Sequence, residues 1–180
     1  MAKTLGTGKR TLTAHEAALL SAIEAKVRDM IDWEDRRLYL LVAKRIRKVA
    51  RRAQVARKRG ISVARARLGR RPGPLTMNAT DRKFIEELIE ALQRVPSVAM
   101  GEFWFNRLWK LMTHMICKRW RFCEKMRDYE DAIQILTALI SYLVRHLKIL
   151  DDTELMTALI MLGWHKGPDW MCKCTKAKYA

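Results

Sequence analysis

The chain has 180 residues, 49% of them hydrophobic, which allows one core or a smaller core with an appendage, so it need not be disordered. Lysine and arginine number 36 against 19 acidic residues, a formal charge of +17 that far exceeds what solubility requires and points to a polyanionic partner. The excess is uneven: residues 1 to 80 hold 20 basic and 6 acidic side chains, whereas residues 81 to 180 hold 16 and 13, the balance of an ordinary folded domain.

Apolar residues recur at three- and four-residue steps with no sustained two-residue alternation, so the fold class expected is all-α. The N-terminal stretch MAKTLGTGKRTLTAHE has no apolar run of signal-peptide length, and the sequence LGTGKRT lacks the spacing of a phosphate loop. Thr13 and Glu16 match a capping box and predict a first helix to about Ile31, with Leu20, Ile23, Val27 and Met30 along one side. Asp32 is the expected cap of a second helix reaching Arg59, stopped by Gly60, with Glu34 and Asp35 at its positive dipole end. Leu38, Val42, Ile46, Val49, Ala53 and Ala56 form a narrow stripe on it, and cations take the rest of the circumference. That stripe is too slight for a core position. A short basic segment follows Gly60, and Pro72, Gly73 and Pro74 mark a hinge.

Four helices are expected beyond the hinge. Thr80 to Arg94 presents Phe84, Ile85, Leu88, Ile89 and Leu92 before Pro96. Ser97 caps a helix carrying Trp104, Phe105, Leu108, Trp109, Met112, Met115, Ile116 and Trp120 to about Arg127. Asp128 caps another, to Leu150, apolar around so much of its circumference that it reads as the central helix. Its window from Ile133 to Val144 is too short to span a bilayer. Asp151, Asp152 and Thr153 open the last, closed by Gly163. Short connections favour antiparallel neighbours, hence an N-terminal basic helix-turn-helix arm (1–75), a C-terminal four-helix bundle (76–163) and an irregular tail (164–180).

Between Arg36 and Thr80 there are 15 Lys/Arg and no acidic residue. Unbroken like charge repels itself, and a polyanion relieves that repulsion. The candidate nucleic-acid-binding residues are Arg36, Arg37, Lys44, Arg45, Arg47, Lys48, Arg51, Arg52, Arg57, Lys58, Arg59, Arg65, Arg67, Arg70 and Arg71. Gln54 and Asn78 are the arm's only amides, so non-specific phosphate contact is expected rather than base reading. Phe103, Trp104, Phe105, Trp109 and Trp120 have the chemistry to stack on bases, but at helical spacing they read as core or interface.

Cys117, Cys123, Cys172 and Cys174 are too few and too late for a disulfide scaffold, which favours an intracellular chain. With His114 they do not form the paired short loops of a zinc knuckle. Cys172 and Cys174 would be the first ligands of any metal, and no metal or other cofactor is expected. No catalytic constellation emerges, so an enzyme is not expected.

A basic helix-turn-helix arm, a Pro-Gly-Pro hinge and a helical bundle, over about residues 13 to 163, together resemble the major capsid proteins of filamentous double-stranded DNA viruses of archaea. The resemblance is one of architecture and charge placement. It implies that arms of paired subunits wrap double-stranded DNA, hold it in A-form, and leave the bundles outside a helical filament. It places the fifteen cations above on phosphates, makes a second copy or a paralogous coat protein the partner, and locates the chain in a virion. The alternatives are a sequence-specific regulator using the same arm, and an RNA-binding protein whose arm and aromatic tail order on RNA.

Overall fold

Thr13 starts the first helix through a reciprocal cap: its hydroxyl accepts from the Glu16 N–H at 3.2 Å, and the Glu16 carboxylate accepts from the Thr13 N–H at 3.0 Å. The computed structural model describes residues 13–58, 79–129, 131–147 and 152–174, with backbone alone at 56–58 and 79–82. All regular structure among them is helical. The α-helices are α1 (Ala14–Met30), α2 (Asp35–Lys58), α3 (Ala79–Glu90), α4 (Val98–His114), α5 (Phe122–Lys125), α6 (Ala132–His146), α7 (Thr153–His165) and α8 (Pro168–Cys172). A 3₁₀ turn (Ala91–Gln93) closes α3, and a π turn (Met115–Arg119) extends α4. None is long and apolar enough to cross a membrane.

Several expected boundaries move, each for a local reason. The second helix begins at Asp35 rather than after Asp32, its first full turn being closed by the Leu38 N–H on the Glu34 carbonyl. Ser97 caps α4 as expected, its hydroxyl accepting from the Met100 N–H. The helix does not continue to Arg127, because a regular helix would point Trp120 and Phe122 in different directions and both are buried. The π turn and a left-handed Arg121 (φ 61°) re-aim the chain so that both reach the core. Asp128 is consumed in closing the turn after α5, its N–H donating to the Lys125 carbonyl. Asp131 caps α6 instead, accepting from the Gln134 N–H at 2.8 Å.

The larger correction concerns α2, which is seated in the core and packs most extensively on α4 and α7, then on α3. The narrow stripe is only part of its buried face. Tyr39, Ala43 and Ala50 lie beside Leu38, Val42, Ile46, Val49 and Ala53, and all eight are buried. Small alanines bring neighbouring helices close without adding hydrophobic bulk to the sequence. The helices of residues 76–163 thus do not stand apart from α2, which packs on both α4 and α7. The central helix is not α6, which packs on α1 and α7, but α7, buried at every position from Leu155 to Gly163. Gly163 is therefore inside α7 rather than its terminator. The Pro72–Pro74 hinge lies outside the described residues.

Two glycines set close approaches. A Cβ at Gly101 on α4 would run into the Tyr39 carbonyl oxygen, so α2 and α4 cross with backbones touching. A Cβ at Gly163 would run into the Trp109 indole. Ion pairs then fix the angle of α2: Arg45 reaches Asp152, the buried cap of α7, at 3.7 Å and also engages Glu154, to which Lys26 of α1 adds a contact at 3.1 Å. At the other end, His165 bridges the Asp35 carboxylate (2.7 Å) and the Ile31 carbonyl (2.9 Å), tying the end of α7 to the α1–α2 turn.

The tail predicted as irregular contains α8, and two disulfides hold it down: Cys117 to Cys172 and Cys123 to Cys174. They join segments 55 and 51 residues apart in sequence. Sparse cysteines had argued for an intracellular chain, and their pairing removes that ground.

Gly101→Ala should destabilise the fold by about 2 kcal/mol or more, because backbone cannot yield as a side-chain tip can, whereas alanine at exposed Ala99 is already tolerated; a denaturation midpoint unchanged in Gly101→Ala would contradict the crossing. Burial first, then the Asp35 and Glu102 carboxylates, push the Tyr39 hydroxyl above its ordinary value of 10.0. Its contribution to stability is therefore complete below pH 10 and lost as pH rises through the raised value. Tyr39→Phe should flatten the alkaline arm of the stability profile in melts across pH 9 to 12.

Candidate nucleic-acid interface

The cations of α2 divide according to which way the helix turns them. With the buried face toward α4 and α7, Arg37, Lys44, Lys48 and Arg51 are exposed on the opposite side, and Arg36 and Arg52, also exposed, flank them. From Arg36 to Arg52 these cations extend over about 24 Å at roughly 1.5 Å per residue. No acidic residue interrupts them. Lys44, Lys48 and Arg52 succeed one another at four-residue steps, a spacing at which like charges repel. Among the described residues none of these three meets a carboxylate.

Two of the predicted residues face elsewhere. Arg45 is mostly buried and spends its charge on Asp152 and Glu154. Arg47 donates from Nη2 to the Leu92 carbonyl at 3.2 Å, satisfying the exit of the 3₁₀ turn, while its Nε is buried without a hydrogen-bond partner among the described residues. Arg37 occupies an intermediate position: it is exposed, but its guanidinium lies 3.4 Å above the Trp33 ring, which orients it. Arg57 and Lys58 belong to the last turn of α2, with side chains undescribed. Arg59, Arg65, Arg67, Arg70 and Arg71 lie outside the described residues.

The surface is therefore one-sided. Cations placed around most of a free helix would clamp phosphate from several directions, whereas a docked helix presents a single row. The row contains only Lys and Arg, with Val55 exposed beyond it, and no amide that would pair with base edges. Gln54 is half-buried. Such a face matches the phosphate backbone, one charge per roughly 1.7 Å of duplex axis, and has little means to discriminate bases.

The aromatic residues sort as their helical spacing suggested, with one exception. Trp104, Phe105, Trp109 and Trp120 are buried, but Phe103 is 53% exposed. Phe103 sits beside Lys83, Asn106 and Lys110 in an open groove between α3 and α4. Trp170, not singled out from sequence, is 43% exposed and stacks on Phe105 at 5.8 Å between centroids. Its exposure was illegible because it depends on how the disulfides seat α8.

The disulfides also take Cys172 and Cys174 out of the thiolates available to a zinc ion, and no group of three metal-ligating side chains converges among the described residues.

Equivalent-looking cations on α2 should behave oppositely. Arg45→Met leaves the buried Asp152 without its charge partner and should cost about 3 kcal/mol, while Lys48→Met on the outer row should stay within about 0.5 kcal/mol; equal losses in urea denaturation would refute this division. No family model, no curated protein and no solved structure matches this chain.

Proposed function

We propose that the protein is a structural DNA-packaging subunit that coats double-stranded DNA without sequence preference, by charge neutralisation. The observation that carries this reading is the uninterrupted cationic row of α2, set on a folded core. Its charges cannot relax by moving apart, because the buried face of the same helix, the Arg45 ion pairs and the Gly101 crossing hold it. Phosphates are the counter-charge that suits such a row, and a fixed row meets a backbone of regular charge spacing with little entropy to lose. Five further arginines, from Arg59 to Arg71, continue the basic run in sequence and extend the contact in this reading.

The stoichiometry favours packaging over regulation. Fifteen basic residues in one stretch of 45 are generous for a subunit that reads a short site, and suit one that must cover several base pairs itself. In this reading the remaining helices form the outer wall, adjacent copies or a paralogous coat protein complete a helical assembly, and the chain resides in a virion. The resemblance to the coat proteins of filamentous archaeal viruses supports the same assignment, with one modification. The arm role is shared between α2, which is anchored, and the basic stretch that follows it.

Binding to random-sequence duplex should weaken steeply with salt, each neutralised phosphate contributing a slope of roughly −0.9 in log affinity against log salt. Substituting Lys44, Lys48, Arg51 and Arg52 by Gln should reduce that slope by about three units, whereas Arg45→Met should leave it unchanged in protein that remains folded. Affinity indifferent to salt, or a tight preference for one sequence in competition assays, would sink the packaging reading. Electron microscopy of protein mixed with long duplex should give regular filaments with continuous nuclease protection.

A further inference from the structure

A second concentration of exposed cations lies around the two disulfides, where the turn after α4 meets α8. The segment Cys117 to Cys123 contains Lys118, Arg119 and Arg121, all exposed. Lys173, also exposed, stands between Cys172 and Cys174. Those cysteines are bonded to the two ends of the first segment, with Cα separations of 5.3 and 5.5 Å. The covalent links therefore bring the backbone that carries Lys173 close to the segment that carries Lys118 and Arg119, although more than fifty residues separate them in sequence.

The backbone here is unusual in a way that involves the same side chains. Arg121 (φ 61°) and Lys173 (φ 52°) are the two non-glycine residues with positive φ among those described, and both are cations. Glycine or asparagine would adopt this conformation more cheaply. Strain of this kind persists where surrounding structure holds it, and it accompanies binding sites more often than plain surface. Arg121 is paired with Glu124 at 2.6 Å. Asp169 is the other carboxylate on these segments, but Lys118, Arg119 and Lys173 have no salt-bridge partner among the described residues.

We infer that this disulfide-bonded patch is a second binding site for the phosphate backbone of duplex nucleic acid. Three exposed cations, carried on backbone that covalent links hold together and met by no carboxylate among the described residues, suit a ligand with regularly spaced charges. A subunit with two such sites holds duplex at α2 and touches duplex again at the disulfide-bonded patch, either the same segment or a neighbouring one. The inference rests on the nucleic-acid reading for the identity of its ligand, but not on the α2 row being the contact.

The test uses the full chain, oxidised, with a fluorescently labelled random-sequence duplex in anisotropy titrations over a salt series. In a background carrying Lys44, Lys48, Arg51 and Arg52 replaced by Gln, adding K118Q, R119Q and K173Q should weaken binding at least tenfold and reduce the salt slope by roughly two to three units. Thermal melts matching the parent would show that the loss is not unfolding. K118Q and R119Q without K173Q leave the segment between Cys172 and Cys174 unchanged and should still weaken binding severalfold. Dithiothreitol, which releases Lys173 from the patch, should weaken the α2-substituted protein but not the one already lacking the patch. Identical salt curves with and without the three substitutions would overturn the inference. A patch effect in a protein indifferent to the α2 substitutions would overturn the α2 reading and leave this one standing.

Discussion

Beside the apolar face and the Gly101 crossing, one electrostatic constraint bears on the position of α2: Asp152 is buried, and it is buried beside a cation. As the cap of α7 it accepts the Leu155 N–H at 3.0 Å, so it cannot be moved to solvent without uncapping the most buried helix of the molecule. Its charge then has to be met from a neighbour, and Arg45 meets it. That pairing sets the rotation of α2 about its own axis. Once Arg45 is turned toward α7, Lys44 and Lys48 are turned out, and the eight apolar positions from Leu38 to Ala53 are turned in. The charge row and the core are two consequences of one rotation.

A helix used in this way joins two roles that the composition alone presents as alternatives. One face supplies as much of the core as any helix in the fold, including the contact where the Tyr39 carbonyl meets Gly101. The other face repels itself along its whole length. Burial of the first face offsets that repulsion, since each fully buried aliphatic side chain contributes about 1.5–3 kcal/mol, several times the few tenths of a kcal/mol that neighbouring like charges cost. Stability is thereby stored on one side of the helix and made available as unneutralised charge on the other. The disulfide-bonded patch applies the same economy by other means, with covalent links in place of burial.

Much of the fold was legible in the chain because the signals are local. The Thr13–Glu16 capping box, the Ser97 cap, the opening of α7 near Asp152, the stop near Pro96, and Ile23, Val27 and Met30 of α1 with Phe84 and Leu88 of α3 depend on residues within one or two turns of each other; Leu20, Ile85 and Ile89, expected beside them, are only partly buried. The π turn at Met115–Arg119 was not legible, since it arises from the need to bury both Trp120 and Phe122. Nor were the disulfides, because Cys117 and Cys172 become neighbours only after α4 and α7 have packed. The pairing of four cysteines admits three connectivities from sequence, and the approach of α8 to the end of α4 chooses one.

For the candidate interface the division is sharper. The sequence by itself determined that residues 36 to 80 carry only positive charge, that this charge is out of proportion to solubility, and that amides for base reading are nearly absent. Those facts follow from composition and cannot be altered by folding. Only the tertiary structure decided which of the cations face outward. A helix with cations on most of its circumference looks too polar for a core as long as Ala43 and Ala50 are counted as neutral filler. They become core residues when α4 and α7 come close enough to touch them, and closeness is a property of the partner helices, of Gly101 above all. Arg45 and Arg47 were indistinguishable from Lys44 and Lys48 in sequence for the same reason: the carboxylate and the carbonyl that claim them come from residues 152 and 92, far along the chain.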